Sequence, residues 1–115
     1  MTYNREGRAI IPSVGRTVIY TLAEHDAEAI NRRRVDAARN LGKIREDALG
    51  YVAHVGNRVE AGDKFPMVIV RVWAAEPTEQ TAVNGSVLLD GTDTYWATSR
   101  VQGDAPGQWH APVRV

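Results

Sequence analysis

The segment Phe65-Pro66-Met67-Val68-Ile69-Val70-Arg71-Val72-Trp73 limits the possible folds more than any other stretch of the chain. It is almost continuously apolar and rich in β-branched residues, yet far shorter than the ~18 apolar residues of a membrane helix. It predicts a central β-strand with one face wholly buried. Strict alternation would place Val68, Val70 and Val72 on one face and Met67, Ile69, Arg71 and Trp73 on the other. An arginine in such a strand must reach solvent, a carboxylate or a ligand.

A central strand needs neighbours, and the sequence supplies them. Ile10-Ile11-Pro12 and Arg16-Thr17-Val18-Ile19-Tyr20, after Gly15, read as a first strand. Residues 83–89 and 94–99 flank Asp90-Gly91-Thr92-Asp93, a strong hairpin signal because Asp-Gly tolerates positive φ at a tip. The tail, residues 103–112, is turn-rich, and Trp109 within it is expected to pin the C-terminus onto the body. Between the first and central strands, Thr21-Leu22-Ala23-Glu24 has capping-box spacing. Ala23, Ala27, Ile30, Ala37 and Leu41 then recur as the apolar stripe of a long helix, with Gly42 as its C-cap. Residues 44–49 could form a second, shorter helix ending at Gly50. The expected fold is α+β: a small antiparallel sheet or SH3-like, five-stranded barrel with a long helix inserted after the first strand, all within a single domain of residues 1–115.

Charge and composition remove several function classes. The 115 residues carry 14 Lys+Arg and 14 Asp+Glu, which argues against coating nucleic acid or anionic membrane by bulk charge. Neutrality hides an asymmetry, +3 in residues 1–58 against −3 in residues 59–115, so a local anion site remains open. With no cysteine there is no disulfide, thiolate metal site or cysteine nucleophile. No pair among His25, His54 and His110 has metal-site spacing, and the His25-Asp26 dyad alone is weak, so no metal or cofactor is expected. No catalytic residue is assigned either: GxSxG, GxxxxGK[ST] and GxGxxG are absent. The amino terminus lacks a signal-type apolar run, and a soluble cytoplasmic protein is expected.

Binding residues are easier to nominate. Arg32, Arg33 and Arg34 point in directions about 100° apart on a helix, and Arg34 falls on the apolar stripe, where a guanidinium wants phosphate or carboxylate. The plainer alternative pairs these arginines with Glu28 and Asp36 or lays their stems over apolar surface. Trp73, Trp96, Trp109, Tyr20 and Tyr95 offer flat surfaces on which a base or sugar could stack, Trp96 and Trp109 being the best candidates because polar, turn-rich sequence surrounds them, although large aromatics in a small domain more often fill the core. Asn84 on a strand could read a base edge, as could Asn31 on the helix unless it is simply exposed.

The segments Val14–Tyr20, Asp26–Arg34, Phe65–Trp73, Val83-Asn84-Gly85 and Gly107-Gln108-Trp109-His110-Ala111-Pro112 together resemble a family of small, mostly uncharacterised proteins of actinobacterial phages. Relatives commonly end in a Trp-His-Trp-Pro-like segment, and Ala111 stands here in place of the second aromatic. The resemblance implies a non-enzymatic phage protein in the cytoplasm of an infected bacterium, forming a homo-oligomer. It would act as an anti-defence sponge for a small anionic ligand such as a cyclic nucleotide or ADP-ribose derivative. Arg32, Arg33, Arg34, Asn84, Trp96 and Trp109 would be its ligand residues. The alternative is a structural or assembly adaptor, or an inhibitor that binds a host protein.

Overall fold

The computed structural model describes residues 9–39 and 56–112. Strand β1 (Thr17–Thr21) leads into helix α1 (Glu24–Arg39), followed by β2 (Lys64–Val72), β3 (Val83–Leu88), β4 (Thr94–Arg100) and the short β5 (Trp109–His110). All ladders between them are antiparallel, in the order β4-β3-β2-β1-β5. The long apolar strand is the central one, and the helix follows the first strand, as the sequence predicts. Past β4 the chain turns back: the Trp109 amide donates to the Val101 carbonyl and the Gly103 amide to the Trp109 carbonyl. The two ends of the strand order are therefore joined along that side, giving partial barrel closure.

The inward face carries Val18, Tyr20, Met67, Ile69, Val83, Val87, Ala97 and Trp109, which pack with Leu22, Ala27, Ile30 and Val59. Gly85 keeps this face open for Met67, since a Cβ there would lie 2.5 Å from the Met67 Sδ. Trp109 is fully buried and its indole Nε1 donates to the Arg100 carbonyl, so it pins the tail as expected.

Helix α1 begins differently from expectation. Its first residue is Glu24, which makes Ala23 the N-cap position and Asp26 the third helical residue, whose carboxylate accepts the Ala23 amide at 2.9 Å. Thr21 stays in β1 and its hydroxyl accepts from Lys64. Thr21 and Glu24 therefore form no capping box; Asp26 supplies the reciprocal half of one. The side chain of Ala37, together with Leu41, Gly42 and the second helix expected at 44–49, lies outside the described residues.

Two irregularities shape the sheet. One lies in β2 between Ile69 and Arg71, the other opposite Asn84, where Val83 pairs with Arg100 but Gly85 with Ala97. Ser99, in that second bulge, adopts φ of 55° and donates its amide to the Asn84 Oδ1. At the other end of β4 the Thr94 amide is taken by the Asp93 carboxylate and its carbonyl by Arg33. The open edge of β4 is thus blunted at both ends.

Candidate functional site

The bulge in β2 decides which side chains reach the outside. Before it, Met67 and Ile69 face inward while Val70 is exposed. After it, Arg71 pairs with Asn84 and Val72 with the inward-facing Val83. Arg71 and Trp73 are therefore outward residues, and Val72 an inward one, the reverse of strict alternation. The sequence places Arg71 and Trp73 with Met67 because a one-residue slip is invisible to a period-two pattern.

On the outer face of the sheet, β3 contributes the buried Asn84, the half-buried Ser86 and the exposed Leu88, and β4 contributes Trp96 opposite Ser86. Trp73 and Trp96 are 52% and 51% exposed. The Arg71 guanidinium lies over the Trp73 ring, 4.8 Å from its centroid, and has no carboxylate partner among the described residues. The indole Nε1 of Trp73 donates to the Asn84 Oδ1 at 3.0 Å. This draws the ring back over β3, so it lies about one two-residue step, ~7 Å, along the strand from the Ser86–Trp96 pair.

Electrostatics favour this face for an anion. None of the five strands contains Asp or Glu, whereas Lys64 and Arg71 both stand on its outer surface. All the acidic residues lie in the helix, loops and remaining segments. The strands themselves therefore bring basic and aromatic side chains, and no carboxylate, to the outer face of the sheet.

The nominated arginines are elsewhere, on the helix side. Arg32 is exposed. Arg33 donates to Asp93 at 2.9 Å and to the Thr94 carbonyl, and lies 5.9 Å from the Tyr95 ring centroid. Arg34 sits on the apolar stripe as predicted and is buried. Its Nη2 donates to the Asp90 carbonyl at 3.2 Å, with the Asp90 carboxylate 3.9 Å away. A Cβ on Gly56 would lie 2.6 Å from that Nη2, so Arg34 is clamped beneath backbone. Phosphate is not needed to explain Arg33, whose neighbour is a carboxylate of the hairpin; Arg34 keeps Nε and Nη1 without partners.

Of the six nominated residues, the structure brings together Asn84 and Trp96. Trp109 has no exposed face on which a base could stack, and Arg32, Arg33 and Arg34 lie across the sheet from Trp96. Asn31 is neither exposed nor a base reader: its amide pairs reciprocally with the Val59 backbone at 2.8 and 2.9 Å. Trp73 and Arg71 complete the face; the sequence marks Arg71 as a strand arginine in need of solvent, a carboxylate or a ligand, but strict alternation puts both residues with the inward-facing Met67.

A second polar cluster lies inside. The Asp26 carboxylate has no exposed surface and accepts from the Tyr20 hydroxyl at 2.5 Å, the Tyr95 hydroxyl at 2.6 Å, the Ala23 amide and Arg100 at 3.2 Å. Burial by itself would raise the Asp26 pKa. The hydrogen bonds from Tyr20, Tyr95 and the Ala23 amide, aided by the Arg100 charge, outweigh it and hold the carboxyl below its ordinary value. Burial, with the Asp26 hydrogen bond and charge adding to it, pushes the Tyr20 hydroxyl far above the tyrosine range and Tyr95 up to about 12. Arg100 also meets the His25 Nε2 at 2.8 Å, but the described residues contain no group of three metal-ligating side chains. With its carboxylate buried, this cluster ties α1 to β1 and β4.

No helix among the described residues is long and apolar enough to cross a membrane. No family model, no curated protein and no solved structure matches the chain.

Proposed function

We propose that the chain is a non-catalytic binder that takes a small nucleotide-type ligand on the open face of its sheet. The supporting observation is the grouping of Trp73, Trp96, Arg71 and Asn84 on a surface whose strands carry no acidic residue. A base would stack on an indole, a contact worth ~1–3 kcal/mol per base, while the guanidinium of Arg71 meets phosphate. In the setting implied by the resemblance to phage proteins, such a binder would sequester a nucleotide signal of host defence in the infected cell.

The test is calorimetry with mono-, di- and cyclic nucleotides and ADP-ribose derivatives, on the parent chain and on Trp96→Ala and Arg71→Ala. Micromolar binding to the parent, weakened about tenfold or more in each variant, is expected. Absence of binding across the panel refutes the proposal.

A second reading has its own support: Leu88 and Val70, 44% and 47% exposed, lie on the same face, and Trp and Arg are the commonest anchors of protein interfaces. The chain would then be an assembly adaptor or an inhibitor of a host protein. A stoichiometric protein partner recovered from infected-cell lysate, lost in Trp96→Ala, together with a blank nucleotide panel, would favour it.

A further inference from the structure

Asn84 carries more information than its place on the face. Its Oδ1 accepts two hydrogen bonds, from the Trp73 Nε1 at 3.0 Å and from the Ser99 amide at 2.8 Å. An indole N–H and a backbone N–H are donors only, so the orientation of the amide is fixed by chemistry. The oxygen is fully used. Asn84 is 9% exposed; among the described residues its Nδ2 amino group has no acceptor, and it is not sealed from solvent. Asn84 therefore presents donors, and no acceptor, between the two exposed indoles.

The charged neighbour, Arg71, is also a pure donor. Asparagine commonly reads adenine with both its amide groups, accepting from N6 while donating to N7. Here that mode is blocked, because turning the amide would break both bonds to Trp73 and Ser99. An oxo-purine suits the site: guanine and hypoxanthine present O6 and N7 as adjacent acceptors, where adenine sets an amino group against the Asn84 amino group.

Building on the nucleotide reading above, we infer that Asn84 makes the face selective for oxo-purine over amino-purine nucleotides. Adenine loses an acceptor and leaves a desolvated donor opposed to a donor, which corresponds to a preference of about tenfold.

The experiment compares GMP, IMP and AMP by calorimetry on the full chain, with Asn84→Asp as the variant. Aspartate keeps an oxygen for Trp73 and Ser99 but has no amino group. GMP and IMP are expected to bind the parent about tenfold more tightly than AMP, and the preference should vanish in Asn84→Asp. IMP separates recognition of O6 from recognition of the guanine 2-amino group. Equal affinities, a preference for AMP, or a preference that survives in Asn84→Asp overturns the inference while leaving nucleotide binding intact. Failure of all three nucleotides to bind, extended to the wider panel, overturns the underlying reading instead. The parent ratio decides the matter if the variant does not fold.

Discussion

Replacing Asp26 by asparagine keeps the size of the side chain and removes one acceptor. The two carboxylate oxygens divide four donors between them: Oδ2 takes the Tyr20 hydroxyl and the Ala23 amide, Oδ1 the Tyr95 hydroxyl and Arg100. A tyrosine hydroxyl can rotate to accept from the new NH2 group, but the amide and the guanidinium cannot. Whichever way the asparagine turns, one obligate donor faces another, and Arg100 loses its anion. Breaking a buried ion pair costs ~3–5 kcal/mol, a large part of the ~5–15 kcal/mol that holds a domain together. At ~4 °C per kcal/mol for this chain length, the Tm should fall by ~12–20 °C. The acid limb should change as well. Because the folded pKa of Asp26 is lowered, its contribution is present above the unfolded value of ~3.9 and is lost as pH falls through the folded one. Urea titrations followed by circular dichroism, at neutral pH and at a series of acid pH values, should show both the loss and a flatter acid limb in Asp26→Asn. A loss below ~1 kcal/mol at neutral pH, or an unchanged acid limb, refutes the role assigned to this carboxylate.

The same cluster sets the alkaline limb. Tyr95 titrates at about 12 in the folded state and Tyr20 higher still, so above pH ~10 the unfolded chain releases protons that the fold retains. Stability should then fall with rising pH by up to ~1.4 kcal/mol per pH unit for each tyrosine, and Tyr95→Phe should remove its share. Spectrophotometric titration showing both buried tyrosines ionising near their ordinary value would contradict this. Gly56→Ala should cost ~1–3 kcal/mol in urea melts, because its Cβ would press on the Arg34 guanidinium and on the Asp90 carbonyl, a backbone atom that cannot swing away. A neutral substitution there would mean that the Arg34 clamp is loose.

The helix and four of the strands were legible because their signals are local and redundant, whereas the two-residue β5 was not, and Ile10-Ile11-Pro12 lies outside β1. The 65–73 run, the Asp90-Gly91 turn and the stripe through Ala27 and Ile30 each name an element without reference to the rest of the chain. The burial of Arg34 was legible for the same reason, since it follows from helical spacing alone. Its partner was not, because Asp90 is 56 positions away on a hairpin tip. Two errors share a different cause. Thr21 to Glu24 matches a capping box in spelling, but β1 and Lys64 claim the threonine, and Asp26 is the better fit to the buried tyrosines. Arg71 and Trp73 change faces through the bulge in β2, a shift of register against β3 that no single segment encodes. The candidate site depends on that bulge, so its membership was only half visible in advance.

The blunted edge of β4 has a consequence for what this surface can become. An exposed sheet that carries tryptophan, leucine and valine would ordinarily invite strand-by-strand growth into fibres. Here the Arg33–Thr94–Asp93 knot and the Ser99 bulge guard the margin, so the proposed binding across the face would be separated from polymerisation along it. Substitutions at positions 70, 88 and 96 can then retune what the surface holds without turning the protein into a template for its own aggregation.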